Sequence, residues 1–152
     1  MITIEKLNHS HVDEVKTIQL ADEQINFAGT AAEFLADVCE TTHLHVIKHH
    51  KRVIGFFKID IAYASKYNFC PEGGLGLRAF AIDKAQQGKG FGTKVVRALF
   101  AYLKVNYPRY TSIYLTVNCK NPGAVVCYLN GGFQDTAEKY LEGPAGPQHI
   151  MR

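Results

Sequence analysis

Between an apolar run ending in Phe80-Ala81-Ile82 and a long amphipathic segment, the chain reads Gln86-Gln87-Gly88-Lys89-Gly90-Phe91-Gly92-Thr93-Lys94. Three glycines at alternate positions oppose helix formation, because each costs roughly 0.5–1 kcal/mol relative to alanine inside a helix. Yet Val95, Val96, Leu99, Phe100 and Leu103 follow at the spacing of one buried helix face, running from about Gly90 to Asn106 with Pro108 as the stop. A strand from about Leu75 to Ile82, a glycine turn and a helix N-terminus together make an anion site. Unpaired amide N–H groups converge there, and the helix dipole favours negative charge. The spacing differs from the GxxxxGK[ST] phosphate loop, and Gly92 falls one residue early for the dinucleotide pattern GxGxxG.

The rest of the chain supplies an α/β frame. Ile2, Ile4 and Leu7 alternate as a first strand. Ser10-His11-Val12-Asp13 reads as a capping box with Ser10 as N-cap, followed by Val12, Val15 and Ile18 at helical spacing. Thr30-Ala31-Ala32-Glu33 is a second capping box, for a short helix burying Phe34, Leu35 and Val38. Two strands, THLHVIKH and RVIGFFKIDIA, are joined by a turn around His50 and Lys51. His43 and His45 share one face of the first of these, read as an exposed face rather than a metal site. Tyr63 to Gly74 is the least regular stretch and is expected to be a mobile loop. SIYLTV is a fifth strand; Asn121-Pro122 opens another helix, Gly131-Gly132 closes it, and Phe133 to about Leu141 and QHIMR finish as two strands.

With 152 residues, 47% hydrophobic and 20% charged, the chain has the size and core of a single domain spanning 1–152. The formal charge of +3 suits an anionic small ligand and is too scattered for a nucleic-acid surface. No apolar run approaches the roughly 18 residues of a membrane span. With no signal-peptide layout at MITIEKLNHS, a cytoplasmic location is expected, and Cys39, Cys70, Cys119 and Cys127 are read as free thiols.

Two motifs carry a resemblance. Gln87-Gly88-Lys89-Gly90-Phe91-Gly92 matches the [RQ]-x-x-G-x-[GA] acyl-CoA motif of the GNAT superfamily of N-acetyltransferases. Asn121, Ala124, Tyr128, Gly132 and Phe133 match that family's N-x-x-A-x-x-x-Y-x-x-x-G-F. The resemblance covers nearly the whole chain. It implies a GNAT-like α/β fold with a mixed sheet of about seven strands and about four helices. It also implies transfer of an acetyl group from acetyl-CoA to a primary amine in a ternary complex, without a metal. By that resemblance the amides of Gly88, Lys89, Gly90, Phe91, Gly92 and Thr93 cradle the pyrophosphate, and Gln87 also binds the cofactor. Phe80, Ala81 and Ile82 pair with the pantetheine arm, and Ile82 or its neighbour polarises the acetyl carbonyl. Asn121 and Ala124 lie along the cofactor, and Tyr128 protonates the departing thiolate.

The strand LGLRAFAID departs from the family in offering no carboxylate before Asp83. The general base is therefore open among Glu72, Asp60, Asp22, Glu23 and a chain of water, each acid also readable as a solvated surface charge. Asp22, Glu23, Phe27 and Glu72 are the candidate acceptor contacts, with Glu138, Tyr140 and Glu142 of the last hairpin. Carboxylates beside aromatics suit a small cationic amine. Peptide acetylation, a non-catalytic acyl-CoA sensor and an unrelated nucleotide-binding module are the alternatives. Monomer and homodimer are both compatible with the sequence.

Overall fold

The structure is a computed structural model that describes residues 1–20, 29–37, 39–143 and 146–152. Seven strands form one sheet: β1 (Ile2–Lys6), β2 (Thr42–His49), β3 (Arg52–Asp60), β4 (Gly74–Ile82), β5 (Ser112–Asn118), β6 (Asp135–Tyr140) and β7 (Gln148–Met151). They lie in the order β1-β2-β3-β4-β5-β7-β6. Every neighbouring pair is antiparallel except β4–β5, which is parallel, so the sheet is mixed as the sequence implies. Five α-helices are described: α1 (Val12–Lys16), α2 (Ala31–Ala36), α3 (Tyr63–Lys66), α4 (Phe91–Asn106) and α5 (Pro122–Gly131). None is long and apolar enough to cross a membrane.

Helices cover both faces of the sheet, which is why β3 reads as a near-continuous apolar run instead of alternating. On one face Val15 of α1 and Phe34 of α2 pack on Val46 and Phe56, with the rings of Phe34 and Phe56 stacked at 4.2 Å. On the other, Val95, Val96, Leu99 and Leu103 of α4 bury against Phe57 and Leu115. Of the box read at Thr30–Glu33 the N-cap half forms: the Thr30 hydroxyl accepts from Glu33 N at 3.1 Å, an interaction worth about 1 kcal/mol, and donates to Glu33 Oε1 at 3.3 Å.

Five expectations change. The first cap is Asn8, whose Oδ1 accepts from Ser10 N at 2.8 Å and opens a 3-10 turn, His9–His11, ahead of α1. Ser10 itself donates to Asn8, so it is capped and does not cap. The face carrying His43 and His45 is covered by α4. His45 is fully buried, its Nδ1 meeting His43 O at 3.0 Å and its Nε2 meeting the Tyr102 hydroxyl at 2.9 Å. The stretch 63–74 begins with α3 and buries Tyr63, because its aromatic residues pack on the sheet. Asp60 is fully buried and ion-paired where a solvated charge was expected. Leu35 is only half-buried, and Val38 lies outside the described residues.

Candidate functional site

Parallel pairing of β4 with β5 lasts three residues, Gly74 with Ser112, Leu75 with Ile113 and Gly76 with Tyr114. Beyond it the strands part. A β-bulge in β4, with Ala79 at φ 52°, places two residues opposite one of β3 and turns the rest of the strand. The gap opens into a cavity of about 750 Å³ between β4, the glycine loop, the end of β5 and the start of α5.

The end of β4 turns main-chain groups into this gap. Asp83 N donates to Ile54 O at 2.7 Å, so Gly55 and Ile82 form a pair that exchanges no hydrogen bonds. The N–H and C=O of Ile82 therefore point away from β3, toward the side where β5 has already diverged. The Gln87 side chain donates to that carbonyl at 2.9 Å, tying the glycine loop to the strand end.

Within the loop the three glycines serve two purposes. Gly88 and Gly90 both sit at φ 79°, a left-handed backbone that L side chains avoid, and a Cβ on either would meet open space. Gly92 has ordinary φ, but a Cβ there would lie 2.8 Å from Cys127 Sγ. It therefore serves the packing of α4 on α5. The first intrahelical bond of α4 runs from Lys94 N to Gly90 O, which leaves the amides of Phe91, Gly92 and Thr93 as the unpaired donors of the helix start. The excluded side chains at Gly88 and Gly90 and these donors share one end of the cavity.

Asn121 precedes α5, and its side chain makes no cap bond, so helix capping does not explain its presence at the cavity wall. Ala124 and Tyr128 follow along the same wall. The Tyr128 ring packs edge-on to Phe80 at 5.8 Å and to Phe133 at 5.7 Å. Burial pushes its hydroxyl above the usual tyrosine range, so it stays protonated at neutral pH.

The other end of the cavity is bordered by a charged network of which the sequence singled out Asp60 alone. Lys58 Nζ meets Asp37 at 2.7 Å, and Arg78 bridges Asp37 at 3.7 Å and Asp60 at 3.4 Å. Lys66 meets Asp60 at 2.8 Å. The hydrogen bond from Lys58 holds the Asp37 carboxyl below the usual range. Tyr63, Tyr67, Arg78 and Lys58 line the cavity with Glu33, the one carboxylate among its described lining residues. Asp60 is occupied by two cations and by Ala62 N at 2.9 Å, and it does not line the cavity. Glu72 is exposed and outside it; Asp83 caps the turn that follows at Ala85 N. Asp22, Glu23 and Phe27 lie outside the described residues. The periodicity of β3 and β4 held no signal for the charged network, because its five members come from four separated segments.

The acetyltransferase (GNAT) family profile matches residues 9–133 of this chain. The chain belongs to the GNAT acetyltransferase family. It is 26% identical over 150 residues to a probable spermine N(1)-acetyltransferase of Bacillus subtilis subsp. natto, covering 93% of each. It is 30% identical over 156 residues to an aminoglycoside N(6')-acetyltransferase type 1 of Klebsiella pneumoniae, covering 97% of this chain and 74% of that one. The fold resembles that of the aminoglycoside acetyltransferase AAC(6')-Ib in complex with coenzyme A, with TM-score 0.77 and 22% identity over 99% of this chain and 93% of that one. It also resembles spermidine N-acetyltransferase from Vibrio cholerae in complex with CoA and spermine, with TM-score 0.71, 19% identity, and the same coverage of both chains. In this GNAT acetyltransferase the two motif segments, residues 87–92 leading into α4 and residues 121–133 on α5, both border the cavity.

Proposed function

We propose that this acetyltransferase moves an acetyl group from acetyl-CoA to a primary amine of a small cationic acceptor, by direct attack in a ternary complex. The observation that carries this reading is the cleft itself: outward main-chain groups of Ile82, the Tyr128 ring and the open glycine loop share one cavity. The donor fits on two structural grounds. Left-handed Gly88 and Gly90 leave room for phosphate oxygens at the amides of residues 88 to 93. The divergent edge of Phe80, Ala81 and Ile82 has main-chain groups available to a pantetheine amide. Gln87 then acts as the tie between loop and strand, and Asn121 and Ala124 form the wall along the cofactor.

The chemistry needs three things from the chain. The N–H of Ile82 donates to the acetyl carbonyl oxygen as negative charge develops there. Tyr128, kept protonated by burial, donates its proton to the departing thiolate sulfur. The attacking amine must be neutral, and its proton passes to water in the cleft, since the buried Asp60 is held by Lys66 and Arg78. The names of the relatives favour polyamines and aminoglycosides as the acceptor class.

The test is a screen for CoA release from acetyl-CoA across polyamines, aminoglycosides and peptides with free N-termini. Turnover with the first two groups is expected. Turnover with peptides alone would overturn the acceptor assignment.

A further inference from the structure

The two strands that part to form the cleft are closed at their vertex by one side chain. Pairing of β4 with β5 ends at Gly76 and Tyr114. Tyr63, the first residue of α3, lays its ring on Gly76, where any Cβ would overlap it. Its hydroxyl bonds the side chain of Thr116, two residues beyond that last pair on β5. Ring and hydroxyl together bridge the gap where it begins, and Tyr63, Leu77, Thr116 and Val117 all line the cavity.

The bridge is held from behind. Tyr67 has its ring centroid 4.5 Å from that of Tyr63, and Phe69 meets Tyr63 edge-on at 5.9 Å. The packing needs only a ring, which phenylalanine would supply. A buried hydroxyl is costly unless it is bonded, and here its partner comes from the opposite strand, so the bond fixes the ring across the vertex. On the acetyl-transfer reading above, the pyrophosphate lies at the amides of residues 88 to 93 and the pantetheine arm along Phe80, Ala81 and Ile82. The arm then runs back down β4, against the direction of the chain, and its acyl tip is aimed at the closed end of the gap. The Tyr63–Thr116 bridge stands ahead of that tip.

We propose that Tyr63, pinned by Thr116, is the floor that limits the length of the donor's acyl chain. An acetyl methyl ends short of the bridge. Each further methylene has to displace a bedded ring or lie against a pair of hydroxyls that offer it no apolar surface. The inference rests on the acetyl-transfer reading and adds to it the determinant of which acyl-CoA is accepted.

Acetyl-CoA and butyryl-CoA, with spermine as the common acceptor, read the floor as a ratio of kcat/KM in which any loss of active fraction cancels. Wild type should favour acetyl-CoA by at least about 10-fold, the low end of what one methylene is worth in a closed pocket. Tyr63→Leu removes the ring and the hydroxyl but keeps an apolar side chain in the bed, and it should bring the ratio within about 3-fold of unity. Should that variant not fold, Thr116→Ala shortens the other half of the floor and should lower the ratio at least about 3-fold. Calorimetry of the two thioesters against the protein alone makes the same comparison without an acceptor. A binding preference for acetyl-CoA that either variant removes supports the floor even where spermine is not acetylated, in which case the transfer reading alone fails. A wild type with no preference in turnover, or in binding where no turnover is seen, overturns the floor. So does a preference that no folded variant changes, while binding of neither thioester overturns the floor together with the donor assignment.

Discussion

At the Gly88–Thr93 end the cleft offers main-chain amides, whereas at the Lys58, Arg78 and Tyr67 end it offers side chains from separate parts of the chain. The first end depends on φ angles within one short loop, 79° at both Gly88 and Gly90. The second depends on the pairing of β3 with β4 and on where β4 leaves β5. A surface of amides recognises a group that every substrate pair has in common, such as a phosphate. A surface of side chains can change residue by residue without disturbing the frame. On the function proposed above, the cofactor would take the constant, main-chain end of such a cleft and the acceptor the adjustable end.

This division can be broken at single residues, and the largest effect is expected at Gly90. Gly90→Val fills open space beside the loop amides and removes a left-handed glycine. Loss of about two hydrogen bonds to charged phosphate is roughly 3–6 kcal/mol, or about 10²–10⁴-fold in acetyl-CoA affinity. The backbone strain costs only about 1–2 kcal/mol, so the fold should persist. Calorimetry finding wild-type affinity in a folded variant would remove the phosphate assignment.

A second expectation uses a region that touches neither end. His45 faces His43, Lys6, Phe57, Tyr102 and Tyr107, with no carboxylate beside it among the described residues, and burial lowers its pKa from 6.5 to about 4. As pH falls through that window the unfolded chain takes up a proton that the folded chain refuses. Stability therefore falls with pH, by up to about 3 kcal/mol, and is complete above the unfolded value. Urea unfolding of wild type and His45→Gln at about pH 7 and about pH 4.5 isolates this contribution, because all other titrations are shared. The same loss in both proteins would show that His45 is not its source.

Third comes Tyr128, between the two ends. Tyr128→Phe keeps the packing on Phe80 and Phe133 and removes the proton. A fall in kcat of about 10²-fold is expected, with acetyl-CoA affinity nearly unchanged, since a thiolate is a fair leaving group. Wild-type kcat, measured where chemistry limits turnover, would sink the general-acid role.

The smallest effect separates two glycines of one loop. Gly92→Ala pushes a methyl against Cys127 Sγ and should cost about 1–3 kcal/mol of stability as an overpacked contact. Cys127→Ala in the same chain should restore it. If the double variant remained as unstable as the single one, the packing role of Gly92 would be wrong.

Much of the frame was legible because its signals are local. Thr30 and Glu33 cap α2, Pro122 opens α5, and Gly132 at φ 121° closes it, each within four residues of its partner. The first helix start was displaced from Ser10 to Asn8 because both residues can cap and lie two apart. A 3-10 turn inserted before α1 decides between them, and periodicity does not register it. The alternation of His43 and His45 was read correctly as one face. What covers that face, however, is α4, some fifty residues further along the chain.

By itself the sequence determined the features that a few neighbouring residues can enforce: the strand and helix periods, the caps, and the loop whose glycines permit positive φ. It also carried the two motifs that proved to face one cleft. Tertiary structure decided which charges are buried, and Asp60 is the clearest case. On β3 it pairs in register with Gly76, and the short helix α3 and the bulged strand β4 then bring Lys66 and Arg78 to it. A charge leaves water only when partners arrive from elsewhere in the chain to offset its desolvation, and linear spacing does not encode that arrival.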